Sequence, residues 1–171
     1  MIRTIPRLPN VDITVAAPPS KSYTHRALIT GALGAGTTTL ENPLFADDTL
    51  LTIGALRKLG IPITVTGNRA GIGGCNGRIP ATGETILDLD NSGTSLRLLA
   101  SLALLCPYPV TLTGSTRMQE RPIGPLASAL SVIGGSVRFL SHNGFPPLQV
   151  RGRLKGGPVA IDGSMSSQFI S

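Results

Sequence analysis

The 171-residue sequence has no tryptophan, and aromatic residues make up only 4% of it. Hydrophobic residues nevertheless account for 41% and charged residues for 14%, a balance typical of a folded globular protein and not of a disordered one. We therefore expect a core of leucine, isoleucine, valine and alanine. The 21 glycines and 14 prolines indicate short elements that are joined by many turns.

Cysteine is also scarce, because Cys75 and Cys106 are the only two in the chain. Their wide separation suggests neither a disulfide framework nor a zinc site, and it fits a reducing compartment. Met1 is not followed by the apolar core of a secretory signal, and the longest apolar stretch, from Leu98 to Cys106, is too short to span a bilayer. We expect a cytoplasmic protein with no membrane partner.

Acidic residues are fewer than basic ones, 9 against 15, which gives a net charge of +6 and a pI near 10.2. Such an excess indicates an anionic partner. No basic run is longer than Arg57-Lys58, and the group Arg151, Arg153 and Lys155 is interrupted by other residues. This pattern does not resemble a nucleic-acid-binding arm. It favours a small, highly charged metabolite that single cations from separate loops would bind.

The sequence contains an internal repeat. Residues 19–65 and 90–140 carry the same order of signals, and each segment begins with a serine-rich helix opening. Corresponding positions lie 70 to 72 residues apart: Ser22 and Ser92, Arg26 and Arg97, Leu40 and Leu112. The alternation of strand, turn and helix in any α/β protein is the alternative explanation.

Apolar spacing and helix caps predict a helix, a strand, a second helix and a second strand in each segment. The first segment predicts a helix over 26–33, a strand over 37–40, a helix between Asp47-Asp48 as caps and Gly60, and a further strand. The second predicts a helix through 97–105, a strand over 110–113, a helix from near Pro122 to Gly134-Gly135 and a strand over 137–140. A strand through Val11, Ile13 and Val15 precedes the first helix. The expected fold class is α/β.

A third copy of the pattern begins near the end of the chain. Asp162 follows Asp90 by 72 residues, and a strand-like stretch over 159–161 leads into another serine-rich turn that reaches Gln168. We expect two units, at about 18–88 and 89–158, and a third from about 159 that is cut short at Ser171. A truncated gene product is the interpretation that we favour.

The segment from Ser20 to Arg26 has the composition of an anion site. Backbone N–H groups at a helix start favour negative charge, and Lys21 and Arg26 add a compact cation and a planar one. Arg26 lies one turn after Ser22, so both can face the same ligand. The alternative is that Ser20 or Ser22 only caps the helix and both cations lie in solvent. His25 is interpreted as a flanking polar residue and not as a base, because the sequence supplies it with neither a nucleophile nor a metal partner.

The second opening, from Asn91 to Arg97, repeats this design around Gly93, whose missing side chain would let a ligand approach the backbone. The spacing of a Walker loop is absent, so ATP binding is not indicated. Arg121 places another planar cation before a helix, and the third opening offers neutral donors from Ser166, Ser167 and Gln168. Simple capping and an exposed Arg–Glu turn are the alternatives. The carboxylates are interpreted as caps and turn formers: Asp47, Asp48, Asp88 and Asp90.

Four motifs, taken in order, resemble the EPSP synthase family of enolpyruvyl transferases. They are Pro-Pro-Ser-Lys-Ser-Tyr-Thr-His-Arg-Ala, Asn-Ser-Gly-Thr-Ser-Leu-Arg, Arg-Met-Gln-Glu-Arg-Pro-Ile-Gly and Asp-Gly-Ser-Met-Ser-Ser-Gln-Phe. The resemblance implies transfer of the enolpyruvyl group of phosphoenolpyruvate to the 5-hydroxyl of shikimate 3-phosphate, in chorismate and aromatic amino acid biosynthesis. It implies no metal, no organic cofactor and no nucleic-acid partner.

The resemblance also assigns roles to single residues. Lys21 would be the catalytic contact to both substrates. Shikimate 3-phosphate would be bound by Lys21, Ser22, Arg26, Ser166, Ser167 and Gln168. Phosphoenolpyruvate would be bound by Lys21, Gly93, Arg121 and Gln168. Arg97 matches a motif position, and we interpret it as a supporting residue.

The family fold has two domains of three βαβαββ units each, with the active site between them. The resemblance therefore predicts a strand segment over 1–17 that belongs to or leads from the other domain, and an incomplete substrate-binding domain over 18–171. The C-terminal half, in the same or a separate chain, would supply the acid/base groups, so the isolated chain would be inactive.

Four positions depart from the common motifs of the family. Ser92 stands where alanine is usual, Leu98 where proline is usual, and Thr24-His25 where Ser-Asn is usual. Glyphosate sensitivity therefore does not follow from the resemblance. The alternatives are UDP-N-acetylglucosamine enolpyruvyl transferase and a non-catalytic module that binds anions or RNA.

Overall fold

The computed structural model describes Arg3, Asn10 and residues 12–171. Its first part contains α1 (Lys21–Leu33), β1 (Thr37–Glu41), α2 (Asp47–Lys58), β2 (Ile63–Thr66) and β3 (Arg69–Gly73). Its second part contains β4 (Thr85–Asp88), α3 (Gly93–Leu102), β5 (Val110–Thr113), α4 (Thr116–Gln119), α5 (Gly124–Val132), β6 (Gly135–Phe139) and β7 (Leu148–Gly152). Single 3₁₀ turns cover Ala103–Leu105 and Ser167–Phe169.

The two parts have matching sheets. The first sheet has the strand order β1-β3-β2, and the second has the order β4-β5-β7-β6. In both, the last strand in sequence lies in the middle and pairs antiparallel with the two strands before it. β4 adds a parallel partner to β5. The second part thus shows a βαβαββ order, and the expected mixture of helices and sheets is confirmed.

Three helices form the centre of the fold, because α1, α2 and α3 pack against one another in all three combinations. Their inward faces are aliphatic, as the low aromatic content predicts. Fully buried side chains of the core include Leu28, Ile53, Leu56, Leu96, Leu99 and Leu112. Truncation of one such leucine to alanine costs about 2 to 5 kcal/mol in typical cores. This packing holds the beginnings of the three helices in one place.

Helix α2 begins differently from the expectation. Asp47 and Asp48 are not its caps, because they are its first two residues and Ala46 is the N-cap. The Thr49 hydroxyl instead accepts a hydrogen bond from Ala46 N at 2.9 Å and donates to Leu44 O at 2.6 Å. The two carboxylates lie in the first turn of α2, where their negative charges interact favourably with the positive end of the helix dipole. The predicted stop is confirmed, since Gly60 follows the helix with a φ of +89°.

The helix expected from Pro122 begins later, at Gly124. Ile123 N donates to Gly144 O at 2.9 Å, so the chain at this point is tied to another loop and not to a helix. The short helix α4 and Pro122 come before this hydrogen bond. Pro125 occupies the first turn of α5, a favourable position for proline.

Two predicted strands are not formed in the described residues. The stretch 159–161 is irregular, although Ile161 packs partly against the core. Ile13 and Val15 are exposed and also lie in irregular backbone, whereas Val11 lies outside the described residues. Neither stretch pairs with a described strand, so its backbone gains no ladder of hydrogen bonds. The boundaries 1–17, 18–88, 89–158 and 159 onward stay predictions.

In the part of the chain that the structure describes, none of the helices is both long and apolar enough to cross a membrane.

Candidate functional site

The first turns of α1, α2 and α3 meet in one region. Lys21 Nζ at the start of α1 donates to Asp48 Oδ2 on α2 at 2.6 Å. Ser95 Oγ in the first turn of α3 donates to Asp48 O at 3.2 Å. The N-terminal ends of three helices therefore converge on Asp48. Each end carries a partial positive charge and unpaired N–H groups, so the region favours an anion.

The opening of α1 is capped by Ser20, whose Oγ accepts a hydrogen bond from Tyr23 N at 3.4 Å. Ser22 is exposed at the surface next to it. Lys21 and Asp48 form an ion pair in which the side chains are 50% and 30% exposed. Exposed pairs of this kind contribute only about 0 to 1 kcal/mol. Lys21 can therefore exchange Asp48 for an anionic ligand at low cost.

Arg26 connects the opening of α1 to the last residue of the chain. Its Nη1 donates to Ser22 O at 3.1 Å, one turn earlier on the same helix. Its Nε donates to Ser171 Oγ at 2.8 Å, and its Nη2 also contacts this hydroxyl. The guanidinium thus lies beside Ser22, as the sequence predicts, and its contacts are with neutral groups that an anion can replace.

The opening of α3 places two guanidinium groups against Gly93. A methyl group added at Gly93 would lie 2.8 Å from Arg121 Nη1 and 3.1 Å from Arg97 Nη1. Burial lowers the pKa of Arg97, and the neighbouring charge of Arg121 lowers it further. Neither of the two ion pairs found in the described residues involves these arginines. The two like charges would be stabilised by an anion between them.

Gln168 anchors the third serine-rich turn to α3. Its Oε1 accepts from Arg97 Nη1 at 2.8 Å, and its Nε2 donates to Thr94 Oγ1 at 2.9 Å. The guanidinium of Arg97 lies over the ring of Phe169, 5.4 Å from its centroid. A cation over an aromatic face adds about 0.5 to 2 kcal/mol. Gln168 is thereby positioned next to the pair of arginines.

The structure brings most of the predicted site residues together. Lys21, Ser22 and Arg26 lie at the opening of α1. Gly93, Arg121 and Gln168 lie around the opening of α3. Ser166 has a more local role, because its Oγ accepts from Gln168 N at 3.3 Å and caps the last turn. Ser167 is exposed, and no described hydrogen bond joins its side chain to the rest of the site.

Several polar residues of this region have no predicted role in the site. The sequence predicts Asp48 as a cap or turn former, and it predicts no role for Thr94. It predicts His25 as a flanking residue, yet His25 is fully buried and hydrogen-bonded to Thr52. Thr52 lies on the apolar face of α2 next to Ile53. A polar residue on such a face was the available signal that α2 carries a buried polar contact.

A metal site is not formed by the described residues, which contain no group of three or more His, Cys, Asp and Glu side chains that could hold an ion. The charged groups that the site does contain are mainly cations. Its chemistry is therefore that of anion binding.

Comparison with protein families finds a match over residues 7–171 to the model of EPSP synthase (3-phosphoshikimate 1-carboxyvinyltransferase). A 3-phosphoshikimate 1-carboxyvinyltransferase of Methanoregula boonei is 58% identical over the whole chain, which covers 41% of that relative. The same enzyme of Methanoculleus marisnigri is 53% identical, and 40% of it is covered. The chain thus spans about two fifths of the length of these curated relatives.

Solved structures give a consistent result. An EPSP synthase from Acinetobacter baumannii superposes with a TM-score of 0.78 at 30% identity, over 91% of this chain and 36% of that one. The enolpyruvyl transferase NikO from Streptomyces tendae superposes with a TM-score of 0.54 at 14% identity, over 78% of this chain and 30% of that one. At this lower identity the likeness concerns the fold alone.

Proposed function

Because the chain belongs to the EPSP synthase family, we propose that the full-length protein transfers the enolpyruvyl group of phosphoenolpyruvate to the 5-hydroxyl of shikimate 3-phosphate and releases phosphate. The chain covers about 40% of its curated relatives, so the activity is assigned to the protein of which it is a part. The observation that carries the proposal is the convergence of three helix openings with cations on two sides. Both proposed substrates are anions, and each needs cations of its own.

Shikimate 3-phosphate is assigned to the opening of α1. Lys21 and Arg26 supply its positive charges, and the exposed hydroxyl of Ser22 lies between them in sequence. Ser166, Ser167 and Gln168 approach from the last turn, which Arg26 contacts through Ser171. The ligand would replace the weak surface partners Asp48 and Ser171. We propose that these replacements accompany binding.

Phosphoenolpyruvate is assigned to the opening of α3. Arg121 is the principal cation, because its guanidinium lies against Gly93 and is not held by a carboxylate in the described residues. Gln168 would donate from its amide, and Lys21 would contact both ligands from α1. The two anions would then lie side by side, with the acceptor hydroxyl near the enolpyruvyl group. Holding the two reactants side by side lowers the activation barrier, because their translational and rotational entropy is already lost on binding.

The remaining chemistry is assigned to the part of the protein that this chain does not contain. Protonation of the enolpyruvyl group and removal of the hydroxyl proton need an acid and a base. We propose that the other half of the protein, in the same or a separate polypeptide, supplies them in the cytoplasm. The isolated 171-residue chain is therefore expected to release no phosphate from the two substrates.

The proposed function is tested by steady-state phosphate release from both substrates with the full-length protein. The variant Arg121→Ala removes the principal cation for phosphoenolpyruvate and is expected to raise its KM on the order of 100-fold, because a charge-assisted contact contributes about 1.5 to 3 kcal/mol. Arg117→Ala is the matched control, since Arg117 lies four residues earlier and is exposed.

Two results would contradict this proposal. The first is a full-length wild-type protein that binds neither substrate in calorimetry and has no turnover. The second is salt-sensitive binding of single-stranded RNA without any response to shikimate 3-phosphate, which would indicate a nucleic-acid-binding module.

A further inference from the structure

A buried histidine lies at the centre of the three helices. His25 on α1 is 0% exposed, and its Nδ1 lies 2.9 Å from Thr52 Oγ1 on α2. Thr52 Oγ1 lies 2.8 Å from Ser95 Oγ on α3, and Ser95 Oγ lies 2.6 Å from Ser92 Oγ. Four side chains from three helix regions thus form one continuous polar chain within a largely aliphatic core.

The contact of Ser95 with a backbone carbonyl sets the direction of each hydrogen bond in this polar chain. Ser95 Oγ donates its one hydrogen to Asp48 O, a carbonyl that can only accept. Thr52 and Ser92 must therefore donate to Ser95 Oγ. Since the hydrogen of Thr52 is used in this way, its oxygen accepts from His25, and His25 carries its proton on Nδ1.

The second ring nitrogen supports the same assignment. His25 Nε2 is buried and has no hydrogen-bond partner in the described structure. Proteins tolerate an unpaired buried acceptor more often than an unpaired buried N–H group, and a charged imidazolium would cost much more in such a place. The charged neighbours are Lys21 and Arg26 on α1 and Asp48 on α2, whereas Ser92 and Ser95 at α3 are neutral. Burial lowers the pKa of His25, the carboxylate of Asp48 partly offsets this, and the two cations lower it further.

We propose that His25, as a neutral imidazole protonated on Nδ1, is a positioning residue that holds the phosphoenolpyruvate-binding opening of α3 against the shikimate-phosphate-binding opening of α1. The inference rests on the proposed function. His25 lies one turn after Lys21 and directly before Arg26, and Ser92 directly precedes Gly93. A shift of this polar chain of side chains therefore moves the cations of the α1 opening relative to the backbone of the α3 opening.

The test compares three substitutions in the full-length protein. His25→Asn keeps a side-chain N–H at the position of Nδ1, so it can still donate to Thr52. His25→Gln places its amide nearer the position of Nε2, and His25→Leu keeps bulk without polarity. We expect both to raise the KM for phosphoenolpyruvate on the order of tenfold with a smaller change in kcat, because misplacement of binding groups by a fraction of an ångström weakens a two-substrate site. His25→Asn is expected to stay within about twofold of wild type.

A second substitution interrupts the same polar chain at Thr52. Thr52→Val replaces one hydroxyl by a methyl group of similar size and leaves His25 in place. We expect it to reproduce the KM change of His25→Leu, and the double variant is expected to be no worse than either single one. His142→Leu serves as the matched control, since His142 is exposed in a turn after β6.

Wild-type KM values in folded His25→Leu and Thr52→Val variants would overturn the inference, and so would a His25→Gln variant that is as active as His25→Asn. Nitrogen NMR of the full-length protein gives a readout that does not depend on activity. We expect a protonated Nδ1 and an unprotonated Nε2 for His25 near neutral pH. The opposite tautomer or a charged ring would overturn the inference, whereas a wild-type protein without turnover would contradict the proposed function.

Discussion

The openings of α1 and α3 come from the same repeated pattern, but they hold their cations in different ways. Lys21 at α1 is half exposed and already paired with Asp48. Arg97 and Arg121 at α3 are partly buried, and both guanidinium groups lie against Gly93. An exposed pair is easily exchanged, whereas two partly buried like charges repel until an anion lies between them. The second opening should therefore gain more from binding an anion.

The residue at the centre of each opening shows the same difference. Tyr23 and Gly93 are 70 residues apart and correspond to each other in the repeat. Tyr23 is 79% exposed and leaves the opening of α1 to solvent. Gly93 is buried beneath the two guanidinium groups. A small residue is thus required only at the opening where side chains cover the backbone.

The strongest test of this comparison is the variant Gly93→Ala. The added methyl group would lie 2.8 Å from Arg121 Nη1, so the arginine must move away from the ligand position. We expect the KM for phosphoenolpyruvate to rise on the order of 100-fold in the full-length protein. The melting temperature should change little, because the displaced atoms are the end of a flexible side chain.

Gly83→Ala is the matched control for this variant, because a methyl group added at Gly83 meets no atom within 4 Å. It should leave the KM for phosphoenolpyruvate at the wild-type value. If Gly93→Ala also leaves this KM unchanged, the two openings do not differ in the way that we describe.

The stability of the fold should also depend on pH through His25, which lies on α1 next to its opening. The pKa of His25 is lowered by burial from the ordinary value of 6.5, so below that pH the unfolded chain binds a proton that the folded chain does not. The contribution of His25 to the free energy of unfolding is therefore complete above pH 6.5 and declines as the pH falls toward the folded-state pKa.

Urea unfolding of the full-length protein between about pH 5 and pH 8 measures this effect. In His25→Asn the histidine contribution to the pH dependence is expected to disappear, while the contribution of the carboxylates stays. Identical slopes in the variant and the wild type would show that His25 is not held neutral by the fold.

The smallest expected effect concerns the exposed pair at α1. Asp48→Asn removes the charge that holds Lys21 but keeps the backbone carbonyl that accepts from Ser95. We expect the free energy of unfolding to change by less than about 1 kcal/mol and the KM for shikimate 3-phosphate to fall by up to about fivefold, because Lys21 is released for the ligand.

Glu41→Gln is the control for Asp48→Asn, because it removes the exposed carboxylate partner of Arg69 in the first sheet and breaks no described hydrogen bond of Lys21. It should change stability by a similar small amount and leave the KM alone. A higher KM for shikimate 3-phosphate in Asp48→Asn would mean that Asp48 assists Lys21 and does not compete for it.

Much of the fold could be predicted from the sequence, because the signals are local. The helical spacing in α2, Gly60 after it, and the glycines that follow α5 all act within a few residues of one another. The strand expected over 159–161 failed for the opposite reason. A strand needs a partner that spacing along the chain does not reveal, and no described strand pairs with these residues.

The site could be predicted in part for the same reason. Serine-rich helix openings with a following arginine are local patterns, and they led to Lys21, Ser22, Arg26 and Gly93. The partners of these residues are distant in sequence: Asp48 lies 27 residues from Lys21, and Gln168 lies 71 from Arg97. Contacts of this kind depend on how the helices pack, so Asp48 and Thr94 could not be assigned.

By itself, the sequence determined the repeat, the aliphatic core, the positions of the helix openings and the resemblance to one enzyme family. All of these depend on the order and spacing of residues along the chain. Only the tertiary structure decided which opening buries its cations and which exposes them. It also showed that His25, which the sequence predicts as a flanking residue, is the first donor of the buried polar chain. Burial decides both matters, since the strength of a charge or a hydrogen bond depends on the surroundings that packing creates.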